Sequence, residues 1–147
     1  MIFVETTGGL KRDRELAERV IWFCMETLMP RMKNLGVECE ITNKLEGGVL
    51  GYAWCVEVNR DCVIQIDNRL SRDVSRDKFI ETVCHEMVHV KQYARNEMTD
   101  ELIESGHAVW KGRKIHPKTG YYDLPWEKEA YKMQDGLAMK VWKSGEI

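Results

Sequence analysis

No run of apolar residues in this 147-residue chain approaches the roughly 18 needed to cross a bilayer, so no membrane span is expected. The opening residues, Met1-Ile2-Phe3-Val4-Glu5-Thr6, carry neither a basic leader nor a cleavable apolar stretch, so no secretory signal is expected. Charge of one sign is also lacking. Twenty-two basic against 24 acidic side chains leave a net charge of −2, with no global basic surface for nucleic acid and no acidic tail. The five cysteines, Cys24, Cys39, Cys55, Cys62 and Cys84, are odd in number and never spaced C-x-x-C. That argues against both a disulfide framework and a zinc ribbon. Free buried thiols in a cytoplasmic protein are expected instead. The whole chain is 44% hydrophobic and 31% charged, ordinary for one globular domain over residues 1–147 with a core of its own.

Histidine is scarce, with four in the chain, yet two fall within His85-Glu86-Met87-Val88-His89. Residues four apart on a helix stand about 5–6 Å apart on one face. Two imidazoles so placed can both reach one metal ion at roughly 2.0–2.1 Å. Glu86 projects beside the pair, where a carboxylate can take a proton from an activated water. Neutral imidazole suits Zn2+, and two histidines with one carboxylate leave a position open for water. With four His and sixteen Glu in 147 residues, the pattern arises by chance in about one per cent of such chains. Phe79, Ile80, Val83, Met87 and Val90 share one helical arc while His85 and His89 share another. The pattern predicts an amphipathic helix over about 76–94, anchored by its apolar face, with its histidine face left free. Ser75 is the expected cap, and Asp77 lies in the first turn.

The rest of the chain alternates between two periods. Ile2-Phe3-Val4 reads as a short strand before a Gly8-Gly9 turn. Leu16, Val20, Phe23, Cys24 and Leu28 mark a helix from about Asp13 to Leu35, kinked at Pro30 or with a final turn split off there, and stopped by Gly36. Residues 37–41, 49–58 and 62–67 are β-rich and separated by turns at Gly47-Gly48 and Asn59-Arg60-Asp61, which predicts an antiparallel meander. The edge of the 62–67 run is a candidate surface for pairing with an extended substrate. Residues 106–115 read as one more strand, followed by a turn at His116-Pro117-Lys118-Thr119-Gly120. A last helix runs from Trp126 to about Lys143, with Pro125 suited to its start. The fold class expected is α+β: an N-terminal helix on a mainly antiparallel sheet, the histidine helix, and a C-terminal helix.

A catalytic zinc normally takes three protein ligands. His107, His116, Glu127 and Glu129 are the downstream candidates. At 100° per residue, Ala130, Met133, Leu137, Ala138, Val141 and Trp142 define the apolar arc of the last helix. Glu127 lies about 40° from the centre of that arc and Glu129 about 120° from it. A carboxylate turned inward needs a partner, and a metal ion is one. Glu127 is therefore the expected third ligand and Glu129 is expected to be solvated. His107 stays a candidate, since sites with a third histidine exist.

His85-Glu86-Met87-Val88-His89, the segment Val109-Trp110-Lys111-Gly112-Arg113-Lys114, and Pro125-Trp126-Glu127-Lys128-Glu129-Ala130-Tyr131 together resemble the small SprT-like and minigluzincin metallopeptidases, including phage-encoded forms. The likeness covers about residues 75–140. It implies a minimal zincin fold, zinc on His85, His89 and a glutamate of the last helix, and Glu86 as general base. It also implies a zinc metallopeptidase that hydrolyses peptide bonds in a peptide or protein substrate. Spartan-type SprT proteins resemble this chain at Gly106-His107 but use a histidine there as ligand, which keeps His107 open. Tyr121, Tyr122, Tyr131 and His107 are candidate donors to a tetrahedral oxyanion. Three alternatives stand beside the peptidase. One is a zinc-bearing interaction or sensor domain without proteolysis. Another is a DNA-associated protease using the basic cluster Lys111, Arg113, Lys114 and Lys118. The third is a proenzyme whose N-terminal segment covers the cleft.

Overall fold

The computed structural model describes residues 1–57, 61–99, 108–145 and 147. Strand β1 (Ile2–Gly8) enters helix α1 (Lys11–Leu28), which returns the chain to pair β2 (Leu35–Thr42) parallel to β1. Parallel neighbours require such a crossover, and α1 supplies it. Strands β3 (Gly51–Glu57) and β4 (Asp61–Asp67) form an antiparallel pair, but β4 also lies parallel to β2. The sheet order is therefore β1-β2-β4-β3. This corrects the mainly antiparallel meander: the sheet is mixed, because the link from β2 carries the chain past one strand position and β4 returns to fill it. The edge expected on residues 62–67 is correspondingly internal. Strand β3 holds the edge instead.

Helix α1 stops at Leu28, about two turns earlier than Gly36 would have ended it. Pro30 lacks the N–H a further turn needs, and the C-cap falls at Met29. Gly36 belongs to β2, where it faces Phe3 of β1 so closely that a Cβ would overlap the aromatic ring. Val37, Cys39 and Ile41 of β2 and Cys62, Ile64 and Ile66 of β4 point to the inner face of the sheet. There they share one core with Val20, Ile21 and Cys24 of α1.

Helix α2 (Asp77–Ala94) lies at the centre of the molecule, with fourteen of its eighteen residues buried. Its N-cap position falls at Arg76, one residue later than expected, although Ser75 Oγ accepts from the Asp77 backbone N–H at 3.4 Å. Arg76 takes a left-handed conformation at φ 63°, and Asp73 reaches past it to accept from the Lys78 backbone N–H at 2.7 Å. Arg76 then pairs with the fully buried Asp13 of α1 at 2.7 Å, tying the starts of the two helices together. A second sheet, β5 (Met98–Thr99), β6 (Ala108–Trp110) and β7 (Arg113–Ile115), is antiparallel. The single strand expected over 106–115 is a hairpin, because Lys111 and Gly112 both adopt positive φ, at 48° and 83°, and reverse the chain. Helix α3 (Pro125–Ser144) follows and packs on α2. Among the described residues, three α-helices, the mixed sheet and the small antiparallel sheet make an α+β fold.

Two cysteines also depart from expectation. Cys55 and Cys62 stand opposite one another across β3 and β4 and form a disulfide, so the free-thiol expectation holds only for Cys24, Cys39 and Cys84. Register across the hairpin brings the pair together, which a sequence separation of seven does not advertise. Among the described residues, no helix is long and apolar enough to cross a membrane.

Candidate metal centre

Helix α2 presents Glu81, His85, His89 and Gln92 at successive turns along one side. Helix α3 answers with Glu127, Tyr131 and Gln134, also one face by their i, i+4, i+7 spacing. The two rows meet as a polar seam. His85 Nε2 lies 3.0 Å and His89 Nε2 3.1 Å from the same atom, Glu127 Oε1. The three side chains are 7%, 7% and 8% exposed, so the histidine face expected to be free is covered by α3. Their ligand atoms lie within 4.8 Å of one another. On the far side of each ring, His85 Nδ1 is 2.7 Å from Gln134 Oε1 and His89 Nδ1 is 2.8 Å from Gln92 Oε1.

That pattern bears on whether the group suits a metal ion. A neutral imidazole whose Nδ1 donates to an amide oxygen offers a lone pair at Nε2. Two such lone pairs and a carboxylate oxygen then converge with no donor among them, and buried acceptors so arranged require a positive charge. In the absence of a metal ion, protons answer. Burial opposes the charged form of His89, but hydrogen bonding to Glu127 and the charges of Glu86 and Glu127 outweigh it and raise its pKa. Burial likewise opposes ionisation of Glu127, yet the hydrogen bonds and charges of His85 and His89 pull its carboxyl down to about 2. The buried His85, His89 and Glu127 group can hold a metal ion.

Glu86 follows His85 on α2 and is turned toward β3. Burial pushes its carboxyl up to about 7, with His89 and His85 working against the rise and Glu127 adding to it. Gly51 at the start of β3 makes room for this carboxylate. A Cβ there would stand 2.8 Å from Glu86 Oε1 and 3.0 Å from both Glu86 Cγ and Thr82 Cγ2. In front of these groups opens a cleft of about 700 Å³, walled by β3 on one side and by Tyr121, Tyr122 and Tyr131 on the other. The Tyr131 ring packs edge-on against His85 at 4.6 Å, and its hydroxyl lies 3.4 Å from that of Tyr121. Desolvation, the Tyr131 hydroxyl and the charge of Glu127 all raise the pKa of Tyr121, so it keeps its proton.

Other candidates fall elsewhere. Glu129 is not solvated as expected. It accepts from Lys91 Nζ at 2.7 Å and Gln92 Nε2 at 3.2 Å, because the buried Lys91 folds over the start of α3 to reach it. Burial opposes its charge, but these donors hold its carboxyl below the usual range. His116 is exposed, and its Nδ1 accepts from the Lys118 backbone N–H at 3.1 Å. His107 lies outside the described residues. In the basic cluster, Lys111 is engaged: its ammonium is 3.8 Å from Glu129 Oε2 and 5.1 Å from the Trp110 ring centre.

Gln92, Gln134 and Gly51 did not emerge from the sequence. Gln92 had one signal, its i+3 position after His89 on the histidine side of the helix. Gly51 and Gln134 had none, since neither residue type marks a metal site. Comparison of the chain with protein-family models, with curated proteins and with solved structures gave no match.

Proposed function

We propose that this chain is a zinc-dependent peptidase with a minimal zincin fold, akin to the SprT-like and minigluzincin enzymes its sequence resembles. The observation that carries this reading is the convergence of two imidazole nitrogens on Glu127 Oε1 beside a buried Glu86, in a cleft with a free strand edge. His85, His89 and Glu127 would hold the ion, and three protein ligands leave the open position of a catalytic rather than structural zinc. When bound, zinc supplies Lewis-acid polarisation of a carbonyl oxygen and lowers the pKa of water towards ~7.

The protein's own groups do the remaining work. Among the described residues β3 pairs only with β4, so its outer backbone groups can receive an extended peptide as an added strand. Glu86, with its carboxyl near 7, takes a proton from the attacking water and returns it to the leaving amine. Tyr121 keeps its proton and faces the Glu127 side of the cleft, where it can donate to a developing oxyanion.

Metal analysis and peptide cleavage on the same preparations test the proposal. Wild type should carry close to one zinc per chain and cleave a denatured protein substrate. Glu86→Gln should keep the zinc and lose about 10²–10⁴-fold in rate, the usual contribution of a general base. His85→Ala and Glu127→Ala should lose the metal, while Glu129→Ala and His107→Ala retain it. A zinc-free wild type, or cleavage undiminished in Glu86→Gln, would defeat the reading.

A further inference from the structure

We infer that Gln92 and Gln134 are positioning residues: each fixes one histidine of the metal group with its proton on Nδ1 and its Nε2 lone pair aimed at the ion, and Gln92 also couples His89 to the turn that carries Glu127. This deepens the metal reading above and rests on it.

The amide orientations follow from partners that can only accept. Gln92 Nε2 lies 3.0 Å from the Trp126 carbonyl oxygen and 3.2 Å from Glu129 Oε1. Neither oxygen can donate, so the NH2 end of Gln92 must face them and its Oε1 must face His89. An amide oxygen accepts only, so the proton between it and His89 belongs to Nδ1. The same reasoning applies to the other ring. Gln134 Nε2 lies 2.7 Å from Glu81 Oε1, which turns Gln134 Oε1 towards His85 Nδ1. A flip of either amide would set oxygen against carboxylate or carbonyl oxygen, so each glutamine is oriented by a group that does not touch the metal.

The two relays are not equivalent. Gln134 joins His85 to Glu81, a neighbour one turn back on α2, and so bridges two rows of the seam. Gln92 is fully buried, and its three bonds span His89, the backbone at Trp126 and Glu129. Trp126 and Glu129 flank Glu127 in the first turn of α3. Lys91 adds to this clamp by pairing with both Glu129 and Glu97 at 2.7 Å. Removal of Gln92 therefore frees one imidazole and loosens the turn bearing the third ligand. Outer partners of this kind typically alter metal affinity about 10- to 100-fold.

The test is zinc affinity by competition with a chromophoric chelator, with the imidazole N–H signals followed by proton NMR in the zinc-loaded protein. Gln92→Leu and Gln134→Leu should bind zinc about 10- to 100-fold more weakly than wild type, Gln92→Leu by the larger factor. The protected Nδ1–H resonance should vanish from His89 in the first variant and from His85 in the second, with the other ring unchanged. The exchange variant Glu81→Gln with Gln134→Glu keeps both hydrogen bonds of that relay, with the carboxylate now accepting from His85 Nδ1–H and from the amide of residue 81, so it should bind zinc at least as tightly as wild type does. This variant also serves if a leucine variant fails to fold. Zinc held equally by wild type and both leucine variants, or an exchange variant that loses zinc, overturns the inference and leaves the metal reading standing. A wild type that binds no zinc overturns both.

Discussion

Along α2, Phe79, Ile80, Val83, Met87 and Val90 sink into the core shared with α1 and the sheet, while His85, Glu86, His89 and Gln92 face β3 and α3. Both sides are buried to a similar degree, yet burial constrains them differently. Dispersion and the hydrophobic effect are nearly directionless, so the first side is specified by volume and shape. On the second side every donor must meet an acceptor, and a one-atom change leaves a buried group unpaired. Apolar packing is thus concentrated on one side of a single helix and the hydrogen-bonded candidate metal group on the other.

Three substitutions or conditions would break or sharpen that contrast. The largest effect is expected from Ile80→Ala, which empties a fully buried site. It should lower unfolding stability by about 2–5 kcal/mol in chemical denaturation while the folded protein keeps its zinc affinity. Loss of zinc from the folded variant would show that the two sides are not separable. Gly51→Ala comes next. It forces Glu86 or the start of β3 to shift, because the new methyl group would meet Glu86 Oε1 at 2.8 Å. Turnover should fall about 10- to 100-fold at nearly unchanged zinc affinity, since displacement of a catalytic group by about an ångström costs of that order. Turnover like that of wild type would show that Glu86 has room to spare.

The smallest effect is expected from pH. The pKa of His89 is raised, so metal binding, which needs the neutral ring, is complete above that raised value and is lost as pH falls through it. Zinc affinity should begin to decline above the ordinary histidine value of ~6.5 and fall at least about tenfold per unit below it. Chelator competition at a series of pH values measures this directly. A flat profile down to about pH 5 would contradict the coupling.

The helical parts of this arrangement were legible in the sequence because their signals are local. The 3.6-residue period placed α2 to within a residue or two, and the wheel of the last helix turned Glu127 inward and Glu129 away. What the wheel could not show is that Lys91 would bend over Glu129 and take it out of solvent. The sheet was less legible because strand pairing is non-local. The hairpin of β3 and β4 follows from a short turn, but nothing in residues 35–42 says that they will lie parallel to β4. The Cys55–Cys62 link escaped for the same reason, since only the register of that hairpin makes the two residues neighbours. The glutamines escaped for a chemical reason. An amide becomes informative only when the atoms at both of its ends are known.

Glu127, the one carboxylate of the candidate metal group, sits two residues beyond Pro125, in a turn where the Glu127 and Lys128 backbone N–H groups both close on the Leu124 carbonyl at 3.0 Å. The proline thus indexes the rotation of α3 as a keyway indexes a shaft. Lengthening the loop before Leu124 leaves that index untouched, whereas deleting one residue between Glu127 and Gln134 swings one about 100° relative to the other, so that only one can still face α2. The approach to the helix can therefore vary in length without disturbing the site, but the count of residues inside its first three turns cannot.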